Sequence, residues 1–358
     1  MRVSSILIIV FSLVCSICGA ENILLSAATS DKKLILLNIQ YSNKKYKVVD
    51  QAIFDVPFQA GNTAIGHLRN GNYQVVWTAQ DASNKIKLNS MIFDSNLNKV
   101  GNTKKFGPVL SSHFNMNIVD VNEQTLQPSD SNEAAVEDSF HSYAGFPEFV
   151  FVTGRNELTG APLSKRKKLF SNPPGFRPDV TKFVCPSELA ERNCYYASLG
   201  SVNQDRRGVL FGNADNPNYT TAYIFTNNVS SGDLLPIVGT DNFNFIHSEY
   251  GNNNFRIMNR QFNGHTGQPA GNLKVLTPWY ANQSNFASLP RFGSLSSASN
   301  FAFADGHVMF IKPKVNVTEI WAFSLDTQNG QRNSSIQKMT FGYEALLYGM
   351  DTTAVLIP

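Results

Sequence analysis

The chain has 358 residues and a formal net charge of +3, with only 16% of residues charged. That near-balance excludes the broad basic face that nucleic acid or an anionic membrane surface requires. Twenty-six Phe, 12 Tyr, 24 Gly and almost no amphipathic helical periodicity exclude a helical bundle and point to strands joined by turns.

In chain order, residues 1–20 carry one basic residue, Arg2, then an apolar run from Ile6 to Cys15, then the small residues Cys18-Gly19-Ala20. This order predicts a signal peptide cut between Ala20 and Glu21, and therefore a secreted protein. No later stretch reaches the roughly 20 apolar residues of a spanning helix, so no membrane span is expected. From residue 21 the chain repeats a hairpin six times, at 33–54, 87–106, 149–170, 206–225, 255–276 and 318–339. Each copy starts on an apolar strand and passes through an Asn/Gly/Asp-rich turn, since those residues accept the positive φ of tight hairpins. Material for two further strands precedes each copy. In the clearest unit these are NTAIGHLRNG and NYQVVWTAQD, and in the last unit SNFAFADGH and VMFIKPKV. Asn70-Gly71 and Asp305-Gly306 are the expected inner turns. The stretch 121–143 carries five acids and no base, and reads as a long surface excursion.

The hairpins end near 54, 106, 170, 225, 276 and 339, a period suited to one four-stranded sheet with its loops. The N-terminal part from residue 22 aligns with the second strand of the unit. Its missing first strand is expected from the C-terminus, either YEALLYGMD or TTAVLIP. The residues before 54 and after 339 together make about one period. The fold expected is therefore an all-β propeller over 21–358, with six four-stranded blades closed by pairing of the N- and C-terminal strands. A seventh blade, or a two-domain β-sandwich, is the alternative.

The segment GNYQVVWTAQDASNKIKLNSMIFDSNLNKVG (71–101) resembles the unit of secreted repeat β-propellers, whose blades carry strings of the kind G-N-Y-V-V-V-W…I-F-D-S-N-G-N-K-V-G. The match is close in this blade and elsewhere is a pattern of strands and turns. The resemblance implies architecture, and brings no catalytic motif with it.

Cys15 and Cys18 leave with the signal, and Cys185 and Cys194 remain as an even pair expected to form a local disulfide. Sequons at Asn218, Asn228, Asn282, Asn316 and Asn333 are the expected glycosylation sites. Trp77 and Trp321 fall on strands and are expected in the core. Trp279-Tyr280 follows a Pro between blades and can stack on a sugar or anchor a partner. Asp241 and His307 complete the candidate ligand-binding set. No metal or cofactor motif occurs; His67 and His307, near first-strand ends of two units, are the histidine pair best placed to meet at an axis, and ordinary surface or packed histidines are expected. Glycosidase chemistry needs two carboxyls 5–10 Å apart. Asp179, Asp233 and Asp241 are the nearest inner-strand candidates, with Glu249 eight residues beyond Asp241. These features lead to a secreted module that recognises a glycan or an extracellular protein. The alternatives are an extracellular glycoside hydrolase or lyase with an axial active site, and a structural coat, matrix or granule protein.

Overall fold

The computed structural model describes residues 21–58, 60–67, 72–80, 82–83, 86–108, 118–120, 133–140, 149–156, 167–171, 176–184, 195–202, 206–213, 220–224, 229–237, 240, 242–264, 266–281, 292–294, 305–313, 317–344 and 347–355. In chain order the strands are β1 (Glu21–Thr29), β2 (Lys33–Ser42) and β3 (Lys45–Asp55), then β4 (Ala60–His67), β5 (Tyr73–Gln80), β6 (Ile86–Phe93) and β7 (Lys99–Pro108). Next come β8 (Ile118–Asp120), β9 (Glu133–Phe140), β10 (Phe149–Asn156) and β11 (Lys167–Ser171), followed by β12 (Phe176–Val184), β13 (Tyr195–Val202), β14 (Arg206–Asn213) and β15 (Thr220–Ile224). The fifth group is β16 (Val229–Pro236), β17 (Asn242–Gly251), β18 (Asn254–Asn263), β19 (Lys274–Val275) and β20 (Tyr280–Ala281). The last strands are β21 (Phe292–Ser294), β22 (Asp305–Pro313), β23 (Thr318–Asp326), β24 (Gln331–Arg332), β25 (Gln337–Lys338) and β26 (Leu347–Val355).

These strands form six antiparallel sheets among the described residues. The first has the order β26-β1-β2-β3, so the C-terminal strand pairs with the N-terminal one, from Asn22 opposite Val355 to Thr29 opposite Leu347. The second to fourth sheets run in chain order as β4–β7, β8–β11 and β12–β15. In the fifth, β19 and β20 both pair with β18, and in the sixth, β24 and β25 both pair with β23, so the outer edge is split into two short pieces. The six sequence hairpins are the two outermost positions of the six sheets. First strands of neighbouring sheets lie side by side: β26 by β4, β4 by β8, β12 by β16, β16 by β21, and β21 by β26. The fold is a β-propeller.

Turn chemistry places the hairpins. Asn43-Lys44 and Asn252-Asn253 sit at positive φ in two-residue turns, as the right-handed twist of the flanking strands demands. The DSNLN turn closes on itself: Asp94 Oδ1 accepts from the amides of Asn96 and Asn98 at 2.9 and 2.8 Å, with Leu97 at φ 60°.

The core lies between sheets. On β1 and β2, Ile23, Leu25, Ala27, Ile35, Leu37 and Ile39 join a cluster reaching Val308, Phe310, Phe323 and Ile320 of the sixth sheet. The alternate residues Leu24, Ala28, Leu34 and Leu36 pack on Ile65, Tyr73, Val75 and Trp77 of the second. A sheet buried on both faces reads as an almost continuous apolar run, which is what NILLSAAT and KLILLNI are. Each such aliphatic residue taken out of water stabilises the fold by about 1.5–3 kcal/mol. Trp77 is fully buried; Trp321 is half-buried.

Two expectations are corrected. Residues 133–140, inside the acidic stretch read as a surface excursion, form β9, which pairs with β10 over eight positions and with β8 over three. Backbone pairing, which needs no apolar side chain, overrides the polar composition there. Asp305-Gly306 is not an inner turn: it opens β22, opposite Asp326 and Leu325. The glycine answers close packing instead, because a Cβ there would sit 2.3 Å from Leu235 Cδ2 of the fifth sheet. The inner strand of this unit lies earlier, at β21. Asn70-Gly71 lies outside the described residues.

The fifth and sixth sheets are clamped by amides. Asn259 Nδ2 donates to Asn244 Oδ1 (2.8 Å) and to the Gly330 carbonyl (3.0 Å), and Asn244 Nδ2 donates to the Thr327 carbonyl (2.9 Å). Gly330 sits at φ 71°, and a Cβ on it would meet Asn259 Nδ2 at 2.6 Å. Gly330→Ala is expected to lower stability by about 2–4 kcal/mol, the sum of left-handed strain and disturbed buried hydrogen bonds. Urea titration should show a reduced midpoint at unchanged slope; an unchanged midpoint would refute the clamp.

Candidate functional site

The first strands of the six sheets are β26, β4, β8, β12, β16 and β21, and they neighbour one another in the five pairs given above. Four of them carry one aspartate each: Asp351 on β26, Asp120 at the end of β8, Asp179 on β12 and Asp233 on β16. Four of the six are bulged, between Leu347 and Gly349 on β26, Ala60 and Thr63 on β4, Pro178 and Val180 on β12, and Val229 and Gly232 on β16. Asp179 is the extra residue of its bulge. Bulges interrupt the ladder and re-aim the chain, and they gather beside active sites. Asp351 stands opposite Ser26, whose hydroxyl hydrogen-bonds that of Thr63 on β4 at 2.9 Å. Its neighbour Thr352 is buried, and its hydroxyl has no protein partner among the described residues. Asp233 is 4% exposed. It shares its side of β16 with Leu235, which reaches Gly306 of the next sheet. Sequence reasoning found Asp179 and Asp233 but missed Asp120 and Asp351, which have no local motif and are marked only by the strand order.

The other candidates are dispersed. Glu249 lies one strand out, on β17, buried and ion-paired to Arg256 Nε at 2.5 Å. Trp279 and Tyr280 stand at the outer edge of the fifth sheet. Tyr280 is half-buried, its ring 5.6 Å from Phe255 and 6.1 Å from Phe310, with Lys312 Nζ 4.7 Å from its centre. Burial pushes its hydroxyl pKa up, with Arg332 acting in the opposite sense. Trp279 is 46% exposed.

His307 is buried on β22, one strand from the centre, against the first sheet. Its Nδ1 shares a 2.9 Å hydrogen bond with Tyr46 Oη, and its ring meets Tyr41 edge-on at 4.5 Å. Tyr41 Oη donates to Ser324 Oγ at 2.8 Å, and the Gln337 side chain bonds the backbone of both Tyr46 and Lys44. His307 thus lies in the seam between the first and last sheets. Its sequence companion His67 ends β4 on another sheet. Asn333 borders the same seam, where its Oδ1 accepts from Lys44 Nζ at 3.3 Å. Asp241, Cys185, Cys194, Asn218, Asn228, Asn282 and Asn316 lie outside the described residues.

A second buried histidine has a measurable consequence. His247 on β17 stacks on Phe245 at 5.3 Å and its Nδ1 meets the Phe245 carbonyl at 3.2 Å. Burial lowers its pKa to about 4; the Phe245 carbonyl opposes this and Arg260 adds to it. Between pH 6.5 and about 4 the unfolded chain binds a proton here that the folded chain refuses. Its contribution is therefore complete above pH 6.5 and is lost as pH falls through 4, by about 3 kcal/mol. Denaturation across this window should show that slope in the wild type and a flatter profile in His247→Gln.

No family model matches the chain, and no characterised protein matches it in sequence. Solved structures do match in shape. A protein of unknown function from Dyadobacter fermentans is 8% identical, with 86% of this chain and 94% of that one covered at a TM-score of 0.51. An α-L-arabinofuranosidase from Fusarium graminearum is 8% identical, covering 82% and 84% at 0.48. The catalytic domain of a Coprinopsis cinerea α-L-arabinofuranosidase is 9% identical, covering 71% and 84% at 0.44. At these identities the likeness concerns fold. The expected recognition module has no counterpart among these: the two neighbours with a named activity are arabinofuranosidases, which are glycoside hydrolases.

Proposed function

We propose that this chain is a secreted glycoside hydrolase on a six-bladed propeller, with its active site at the axial mouth. The observation that carries the reading is the placement of Asp120, Asp179, Asp233 and Asp351 on four different central strands. Hydrolysis of a glycosidic bond needs one carboxyl to protonate the leaving oxygen. A second must attack the anomeric carbon or activate water, from a position 5–10 Å away. A ring of first strands supplies carboxyls from separate sheets around one cavity, which a single strand or hairpin cannot do. Asp233, which is buried on β16, is assigned as general acid. Six blades require β8 to meet β12, which completes the ring already formed by the other five neighbouring pairs.

Export with cleavage after Ala20, the Cys185–Cys194 disulfide and glycans on the sequons belong to the same proposal, as does descent from the secreted repeat propellers that residues 71–101 resemble. The test is release of reducing sugar from polysaccharides, and of chromophore from aryl arabinosides, xylosides and glucosides, by protein recovered from the medium. Turnover with a bell-shaped pH profile is expected. No turnover on any of them, from protein with an intact unfolding transition, would overturn the reading.

A further inference from the structure

Five large apolar side chains are exposed among the described residues, and three of them, Leu273, Val275 and Trp279, fall within seven residues on the outer edge of the fifth sheet. Trp279 is not a loose side chain. The Arg256 guanidinium lies over its ring at 4.5 Å, and Arg256 is itself fixed by the buried carboxylate of Glu249. The indole is therefore pre-oriented by a cation that a second charge holds in place, while 46% of the residue stays in water. A Cβ built on Gly251 would be 3.9 Å from Trp279 Cη2, so the exposed Asn252-Asn253 turn begins beside the ring. The apolar strip continues along the edge. Tyr280 pairs with Phe255 and Val275 with Met258, a span of roughly 10 Å along β18.

We infer that this edge is a saccharide-holding platform, with the Trp279 indole stacking on the apolar face of a sugar ring and the asparagine turn meeting its hydroxyls. A flat aromatic with one face backed by Arg256, bordered by neutral amides, suits an uncharged polyol ring better than an ionic ligand, because Arg256 already has its counter-ion. A sugar polymer fits a narrow strip along a sheet edge. The platform lies three strand spacings from the central strand β16, roughly 14 Å, so it holds polymer away from the axial carboxylates. It rests on the hydrolase reading for its purpose but not for its chemistry.

The test is affinity electrophoresis of wild type, Trp279→Ala and Trp279→Phe through gels containing soluble xylan, arabinan or β-glucan, with turnover of a short aryl glycoside alongside. At least one polymer should retard the wild type, Trp279→Ala should weaken that retardation five- to tenfold, and Trp279→Phe should keep most of it. All three should turn over the aryl glycoside equally. No retardation of the wild type by any of the gels, or equal retardation of Trp279→Ala, overturns the platform. Retardation lost in Trp279→Ala without turnover by any variant keeps the platform and removes the hydrolase reading. The near-half exposure of Trp279 makes a folding failure of the variants unexpected, and matched thermal transitions check this.

Discussion

Asp233→Asn is expected to fold like the wild type and to lose about a thousandfold or more in kcat on an aryl glycoside, close to 4 kcal/mol of transition-state stabilisation. Asn matches Asp in size, so the buried site on β16 keeps its packing while losing the proton it transfers. The pH profile separates catalysis from a structural role. Removing the acid deletes the alkaline limb of the profile, whereas a merely loosened site lowers the whole curve without changing its shape. Asp120→Asn, Asp179→Asn and Asp351→Asn locate the second carboxyl, as the one variant of the three with a comparable loss. Full activity in Asp233→Asn would exclude it as the acid, and full activity in all four variants would end the axial mechanism.

Deleting residues 347–358 is expected to abolish cooperative folding. The deletion removes β26, the partner of β1 along its whole length from Asn22 to Thr29, and takes the buried Leu347 and Met350 out of the core shared with the sixth sheet. An edge of buried backbone donors and acceptors is left at the centre, each costing about 1–3 kcal/mol when neither protein nor water reaches it. An exposed apolar edge strand also recruits other chains. The expected observation is aggregated protein with no sigmoidal thermal transition. Met350→Ala, a milder change, should fold with a loss of about 2–4 kcal/mol. A truncated chain melting cooperatively at the wild-type temperature would show that the ring does not depend on joining its ends.

Much of the scaffold was legible in the residues. Local rules suffice for a hairpin: Asn43-Lys44 and Asn252-Asn253 turn because those positions take positive φ, and the apolar run KLILLNI marks a strand buried on both faces. The joining of the ends was legible too, because a unit lacking its first strand needs one from elsewhere, and LYGMDTTAV supplies it. Other elements were not. IVD and FGS are three-residue strands, too short for any period to register, and EAAVEDSF looks like solvent-facing chain until β10 pairs with it. Asp305-Gly306 resembles a turn because glycine reports a tight place without saying whether the backbone bends there or a neighbour crowds it.

The same division holds for the site. Sequence by itself determined the strands, the turns, the repeat and the residues able to stack or titrate, since these depend on neighbours a few positions apart. Only the tertiary structure decided which strands come first in their sheets, and so put Asp120, Asp179, Asp233 and Asp351 on four of them while leaving Glu249 paired to Arg256 and His307 sealed against Tyr46. The central residues are brought together by packing between sheets some fifty residues apart in the chain, and no local pattern encodes that distance.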